Sequence, residues 1–126
     1  MSAKNLLVVD DSTTTRMLIC LTLKKETSYH ITEATDGKEA VSKLRSQPVD
    51  IVLTDLNMPD MGGLELITYI RREHPDKALP IVVITSKGEE KARDRGLALG
   101  ANAYLLKPIS TSELHSVVKE LLADGK

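Results

Sequence analysis

The chain contains no phenylalanine and no tryptophan, and its only tyrosines stand at positions 29, 69 and 104. Its core must therefore be built from aliphatic side chains. The single cysteine, Cys20, excludes an intramolecular disulfide bond, and it has no second cysteine or histidine at metal-ligand spacing. We expect Cys20 to be a small buried hydrophobic residue.

An excess of charge of either sign is also lacking, because 17 lysines and arginines stand against 18 aspartates and glutamates. Without a basic stripe interleaved with aromatic residues, a nucleic acid is not an expected partner. No apolar run approaches the roughly 18 to 20 residues that span a bilayer, and no signal-peptide apolar region precedes the first predicted strand. We therefore expect a cytoplasmic monomer without membrane contact.

Five short apolar runs predict β-strands. The runs at 6–9, 51–54 and 81–84 are continuous, which is typical of strands covered on both faces, whereas 30–34 alternates and predicts an edge strand. A fifth run covers 103–106. The segments between them have helical spacing of apolar residues, and capping residues mark helix starts at Ser12 or Thr13, Asp36 and 110–112.

This alternation of strands and helices predicts an α/β fold. The expected architecture is a flavodoxin-like (βα)5 doubly wound five-stranded parallel sheet in the order 2-1-3-4-5, with helices on both faces. A length of 126 residues without a visible linker predicts a single domain over residues 1–126. Because the last predicted helix ends near Ala123, we expect no output domain.

The first predicted helix is apolar nearly all round, although a core needs only one stripe of it. We expect that stripe to be residues such as Leu18, Ile19 and Leu23. Met17, together with Cys20 or Leu21, would then face outward and form a docking patch for a helical partner. The alternative is that these side chains pack under neighbouring helices.

Polar residues follow four of the predicted strands at the point where each strand ends. They are Asp10-Asp11, Asp55, Thr85-Ser86 and Lys107-Pro108. Ligands of open α/β sheets bind at the carboxyl ends of the strands, so these side chains are predicted to share one site.

Three carboxylates in one site repel one another unless a cation is present. Oxygen ligands without cysteine favour Mg²⁺. Carboxylates, Mg²⁺, a hydroxyl group and an ammonium group are together typical of a phosphoryl-transfer site, and an aspartate can itself accept the phosphoryl group as an acyl phosphate. Asp55 is the central candidate, with Lys107 as a point charge and Thr85 as a hydroxyl donor to the phosphate.

At this point the motifs resemble the receiver domain of two-component response regulators, and specifically its stand-alone, CheY-like form. The resemblance covers the whole chain. It rests on Val8-Val9-Asp10-Asp11-Ser12, on the segment Leu53-Thr54-Asp55-Leu56-Asn57-Met58-Pro59-Asp60-Met61-Gly62-Gly63-Leu64, on Ile84-Thr85-Ser86, and on Gly100-Ala101-Asn102-Ala103-Tyr104-Leu105-Leu106-Lys107-Pro108.

The resemblance implies that Asp55 accepts a phosphoryl group from a phosphohistidine of a sensor histidine kinase. Asp11 and Asp55 would ligate Mg²⁺ directly, Asp10 through water, and Asn57 through its backbone carbonyl. The Lys107-Pro108 bond would be cis.

The resemblance also implies a switch and a means of setting its lifetime. Phosphorylation would draw Thr85 toward the phosphate and move Tyr104 inward, which would change the partner affinity of the surface formed by helix four, strand five and helix five. The side chains of Asn57 and Lys87 would overhang the phosphate and tune its hydrolysis. For Tyr104, packing in the core and a switch role are both open and are compatible with each other.

We therefore expect a signalling switch with autophosphorylation and autodephosphorylation activity, and not a conventional enzyme. Chemotaxis is favoured, with a flagellar motor switch component as one candidate target. A phosphorelay intermediate that serves a histidine phosphotransfer domain and a fragment of a larger regulator are the alternatives.

A receiver that signals without phosphate and a phosphohydrolase are disfavoured, the latter because Asn57 supplies no second carboxylate. Taken singly, Asp10-Asp11 or Thr85-Ser86 could be helix caps and Lys107 a solvated lysine.

Overall fold

The computed structural model describes residues 3–25, 28–58 and 61–124, in which five strands alternate with five helices. The elements are β1 (Lys4–Val9), α1 (Thr13–Leu23), β2 (Tyr29–Ala34), α2 (Gly37–Ser46), β3 (Ile51–Asp55), α3 (Gly63–Glu73), β4 (Ile81–Thr85), α4 (Glu90–Leu99), β5 (Ala103–Leu106) and α5 (Thr111–Asp124). All five predicted strands are present.

The strands form one parallel sheet in the order β2-β1-β3-β4-β5, which confirms the predicted flavodoxin-like topology. Every residue of β3 and β4 is buried, whereas β2 at the edge buries only Ala34 and has half-buried and exposed side chains elsewhere. The continuous and alternating apolar patterns therefore distinguished the central strands from this edge strand correctly.

Successive side chains of each strand point to opposite faces of the sheet, so the protein has two apolar layers. Leu6 and Val8 pack with residues of α1 and α5, while Leu7 and Val9 pack with residues of α2 and α3. Both layers are aliphatic. Among the described helices, none has the combination of length and apolar character needed to cross a membrane.

The buried stripe of α1 differs from the predicted one. Ile19, Cys20 and Leu23 are buried, but Leu18 is 41% exposed, so its expected place in the core was wrong. Each residue turns a helix by about 100°, and a face centred between Ile19 and Cys20 leaves Leu18 turned toward solvent. Met17 and Leu21 are exposed as expected, whereas Cys20 does not face outward.

Helices α3 and α4 both lie on the second face, but they are packed differently. α3 buries Leu66, Ile67 and Ile70, whereas the buried residue of α4 is Gly96. A Cβ atom at Gly96 would lie 3.4 Å from Val83 Cγ2, so α4 comes close to the sheet at this position.

Candidate functional site

The register of the sheet brings the predicted site residues together at its carboxyl edge. Val9 pairs with Thr54, which places Asp10 beside Asp55 on the neighbouring strand. Thr85 pairs with Leu106, so Lys107 follows directly beyond Thr85. The backbone N–H of Lys107 donates to the carbonyl oxygen of Thr85 at 2.8 Å and fixes that end of β5.

Asp10 is completely buried, and only one of its carboxylate oxygens is hydrogen-bonded within the described residues. Oδ1 accepts from the backbone N–H of Ser12 at 2.8 Å, while Oδ2 has no hydrogen-bond partner. The N-cap of α1 is Ser12, whose hydroxyl oxygen accepts from the N–H of Thr15 at 3.3 Å. The carboxylates of Asp10 and Asp11 are therefore not needed to cap this helix.

Asp55 is only 5% exposed, and its two carboxylate oxygens have different neighbours. Oδ1 accepts from the backbone N–H of Leu56 at 2.8 Å, and Oδ2 lies 3.5 Å from Nζ of Lys107. The same Nζ lies 3.7 Å from Oδ2 of Asp10. Lys107 therefore stands between two buried carboxylates and is not a solvated loop lysine, and the peptide bond that joins it to Pro108 is cis.

The three carboxylates of Asp10, Asp11 and Asp55 can each offer an oxygen within 4.8 Å of the others. Burial first of all raises the pKa of Asp10, and the charge of Asp11 raises it further, against the lowering effects of the Ser12 hydrogen bond and Lys107. Burial and then the charge of Asp10 raise the pKa of Asp55.

One ammonium group does not compensate for this concentration of negative charge. A hard divalent cation would compensate for it, and among the described residues Oδ2 of Asp10 has no hydrogen bond and only the ion pair with Lys107 at 3.7 Å. The residues present therefore fit Mg²⁺.

Thr85 and Tyr104 lie on neighbouring strands, but at different depths. Thr85 is 1% exposed, and its hydroxyl group has no hydrogen-bond partner among the described residues. Tyr104 is 41% exposed, with the guanidinium carbon of Arg93 4.7 Å from the centre of its ring. The ring of Tyr104 thus lies at the surface and does not pack in the core.

Sequence reasoning missed one residue at this edge. Asn57 and Lys87 are both exposed, but the side-chain amide of Asn57 donates to the carboxylate of Glu89. Glu89 also accepts from the backbone N–H of Ser86 at 2.6 Å. No motif marks Glu89, because its role depends on the turn after β4, which brings position 89 back toward position 57.

Comparisons with known proteins agree with this geometry. Residues 6–119 match the model of the response regulator receiver domain. The chain is 36% identical to a chemotaxis protein CheY homologue of Campylobacter jejuni over 121 residues, which are 95% of this chain and 93% of that protein. It is 34% identical to the phosphate regulon transcriptional regulatory protein PhoB of Escherichia coli over 95% of its own length, but it spans only about half (52%) of PhoB.

Solved structures show the same fold. The chemotaxis response regulator CheY4 of Vibrio cholerae superimposes with a TM-score of 0.86 at 30% identity, over 95% of this chain and 99% of that one. Receiver domains are phosphorylation-dependent signalling switches that bind Mg²⁺ at an acidic pocket, and they are not conventional enzymes. The match to the family model over nearly the whole chain, with the three carboxylates in place, shows that the chain belongs to the receiver domains of two-component response regulators.

Proposed function

We propose that this chain is a phosphorylation-activated switch in which Asp55 accepts a phosphoryl group from the phosphohistidine of a sensor histidine kinase or of a histidine phosphotransfer domain. The observation that carries the proposal is the position of Lys107, whose ammonium group is 3.5 Å from Asp55 and 3.7 Å from Asp10. A cation held between two buried carboxylates is placed to bind the oxygens of an incoming phosphoryl group.

The transfer exchanges one bond to phosphorus for another. A carboxylate oxygen of Asp55 forms a bond to phosphorus while the phosphorus–nitrogen bond of phosphohistidine breaks. The electron pair of the broken bond stays on the imidazole nitrogen, which takes up a proton. Lys107 stabilises charge on the phosphoryl oxygens throughout this exchange.

Asp10, Asp11 and Asp55, with the backbone carbonyl of Asn57, would hold the Mg²⁺ ion. When bound, the ion supplies positive charge for the phosphoryl oxygens and lets the three carboxylates remain ionised. Burial first of all raises the pKa of both Asp10 and Asp55, and the charge of a neighbouring aspartate raises each further, so both carboxylates are harder to ionise without a cation.

Thr85 is the residue that reports the phosphate to the surface. Its buried hydroxyl group, without a partner among the described residues, gains one when it donates to a phosphoryl oxygen on Asp55. Movement of Thr85 toward Asp55 makes room for Tyr104, whose pairing partner on the adjacent strand is Val83. The inward rotamer of Tyr104 then alters the surface of α4, β5 and α5, which includes a groove lined by Tyr104, Leu106 and Val117.

The exposed apolar face of α1 is the proposed docking patch for the kinase or phosphotransfer protein. It consists of Met17, Leu18 and Leu21, which are 54%, 41% and 61% exposed. Three such side chains together on one helix suit the apolar stripe of a partner helix. Leu21→Glu should slow transfer from a phosphohistidine protein while leaving phosphorylation by phosphoramidate unchanged.

The downstream partner differs among three candidate roles. The CheY homologue, which the chain covers almost entirely, favours a chemotaxis switch with a flagellar motor component as its target. The half-length match to PhoB favours a receiver that regulates an attached output domain. A phosphorelay, in which Asp55 passes its phosphoryl group to a histidine phosphotransfer domain, uses the same chemistry.

Incubation with phosphoramidate and Mg²⁺, followed by intact-mass spectrometry, tests the proposed chemistry. The native protein should gain the mass of one phosphoryl group, and Asp55→Asn should gain none. Asp94→Asn is the matched control, because Asp94 lies on α4 away from the site and should leave the gain unchanged. An unmodified native protein, or a gain that persists in Asp55→Asn, would contradict the proposal.

A further inference from the structure

Glu89 connects the two loops that flank Asp55. It immediately precedes α4 and is four residues beyond Thr85. One carboxylate oxygen, Oε1, accepts from the backbone N–H of Ser86 at 2.6 Å, and the other, Oε2, accepts from the side-chain amide of Asn57. A single side chain therefore ties the loop after β3 to the turn after β4.

The turn after β4 is closed by further local contacts. The backbone N–H of Glu89 donates to the carbonyl oxygen of Ser86 at 3.1 Å, and Gly88 between them has a φ of 97°. That φ is in the left-handed region, which glycine adopts without strain. Because this turn is compact, a movement of Ser86 also moves the backbone of Glu89.

The switching movement acts on the same segment. For the Thr85 hydroxyl group to reach a phosphoryl oxygen on Asp55, the chain at Thr85 and Ser86 must shift. Ser86 donates to Glu89, so the shift changes the position of the Glu89 carboxylate relative to Asn57. A phosphoryl group on Asp55 also adds negative charge two residues before Asn57, which repels that carboxylate.

We propose that Glu89 is a positioning residue that holds the turn after β4 in its unphosphorylated position through Ser86 and Asn57, and that phosphorylation of Asp55 releases it. This inference rests on the proposed function. It assigns to Glu89 a restraint that the switch must break, so that loss of Glu89 favours the switched conformation even without phosphate.

Two substitutions distinguish the hydrogen bonds of Glu89 from its negative charge. Glu89→Ala removes both hydrogen bonds, whereas Glu89→Gln keeps an acceptor oxygen and loses the negative charge. Glu90→Gln is the matched control, because Glu90 is the next residue and is exposed, and its hydrogen bond from the N–H of Gly88 at 3.1 Å lies within the turn and does not reach Asn57.

The measurement is the affinity for beryllofluoride, a mimic of a phosphoryl group on a carboxylate, in the presence of Mg²⁺. Backbone amide NMR spectra follow the titration. Glu89→Ala should bind about tenfold more tightly than the native protein, which corresponds to one charge-assisted hydrogen bond. Glu89→Gln should lie between the two, and Glu90→Gln should match the native protein.

The spectra without beryllofluoride provide a readout that loss of stability alone would not produce. In Glu89→Ala, the amide signals of Thr85 and Ser86 should already lie part of the way toward their positions in the bound native protein. If the native protein binds beryllofluoride, but Glu89→Ala has the same affinity and unshifted amide signals, then the proposed role of Glu89 is wrong. The proposed function would still stand. A native protein that neither binds beryllofluoride nor accepts a phosphoryl group would overturn the proposed function as well.

Discussion

Helices α3 and α4 lie on the same face of the sheet, but different interactions hold them there. α3 buries Leu66, Ile67 and Ile70 in the apolar layer. The buried residue of α4 is Gly96, and polar contacts hold its two ends. Glu89 bonds to Ser86 and Asn57 at the start, and the Arg71 guanidinium group donates to the Gly100 carbonyl oxygen at 3.1 and 2.7 Å at the end.

This difference explains why a charge added at Asp55 should affect the two helices unequally. Apolar burial does not depend on the charge of a nearby carboxylate, whereas polar contacts are readily exchanged when a charge appears beside them. We therefore expect α3 to act as a fixed support and α4 to be the element that moves when the site is phosphorylated.

The largest expected difference between the two helices is in stability. Ile67→Ala should lower the free energy of unfolding by about 2–5 kcal/mol, because it removes a fully buried side chain from close packing. Leu97→Ala on α4 should cost less than about 1.5 kcal/mol, because that side chain is only partly buried. Urea denaturation of both variants measures the two decreases in the free energy of unfolding. Equal decreases would contradict the view that apolar packing holds α3 more strongly than α4.

The carboxylates of the site should make the free energy of unfolding depend on pH and on Mg²⁺. Burial raises the pKa of Asp10 in the folded protein above its ordinary value of 3.8. The folded state then binds the proton more tightly than the unfolded state. Asp10 therefore contributes most to the free energy of unfolding at a pH below its ordinary pKa, and this contribution declines as the pH rises through the raised pKa. Asp10→Asn should therefore be more stable than the native protein at pH 7 without Mg²⁺, with a difference that shrinks on acidification.

Mg²⁺ should reverse part of that difference. At about ten times its dissociation constant, the ion should add about 1.4 kcal/mol to the native protein, and it should add less to Asp10→Asn. Thermal or urea unfolding with and without Mg²⁺ measures both effects. If the native protein and Asp10→Asn have the same free energy of unfolding at every pH, then burial of the Asp10 carboxylate does not destabilise the folded protein.

The smallest expected effect is a tightening of α4 itself. In Gly96→Ala the new methyl group would lie 3.4 Å from Val83 Cγ2 and 3.5 Å from Ile67 Cδ1, which are ordinary contacts. The variant should gain about 0.5–1 kcal/mol, because glycine in a helix interior costs that much relative to alanine. Hydrogen exchange of the α4 amides should slow, and Ala98→Gly on the exposed side of the same helix should have the opposite effect. Unchanged or faster exchange in Gly96→Ala would contradict the expected stabilisation of α4.

Much of this arrangement was predictable from the sequence because it depends on strand patterns. The continuous apolar runs before Asp10, Asp55 and Thr85 predicted central strands, and parallel strands bring such residues to one edge. The strand order and the grouping of the three carboxylates followed from that.

Two features could not be obtained in this way. Five consecutive apolar residues in α1 do not reveal which side faces the core, so Leu18 was placed inside although it is exposed. The contact of Glu89 with Asn57 joins residues 32 positions apart through the geometry of a turn, and no periodic pattern encodes it. The roles of Lys87 and Asn57 in phosphate lifetime remain predictions.

Phosphorylation at Asp55 is expected to move α4 and to leave α3 in place. The most direct test is the backbone amide spectrum of the native protein with and without beryllofluoride and Mg²⁺. Beyond the residues that contact the ligand, we expect the largest shifts from Thr85 through Leu99 and at Tyr104, with small shifts at Leu66, Ile67 and Ile70. Shifts of equal size in the two helices, or shifts confined to the carboxylates and their immediate neighbours, would contradict it.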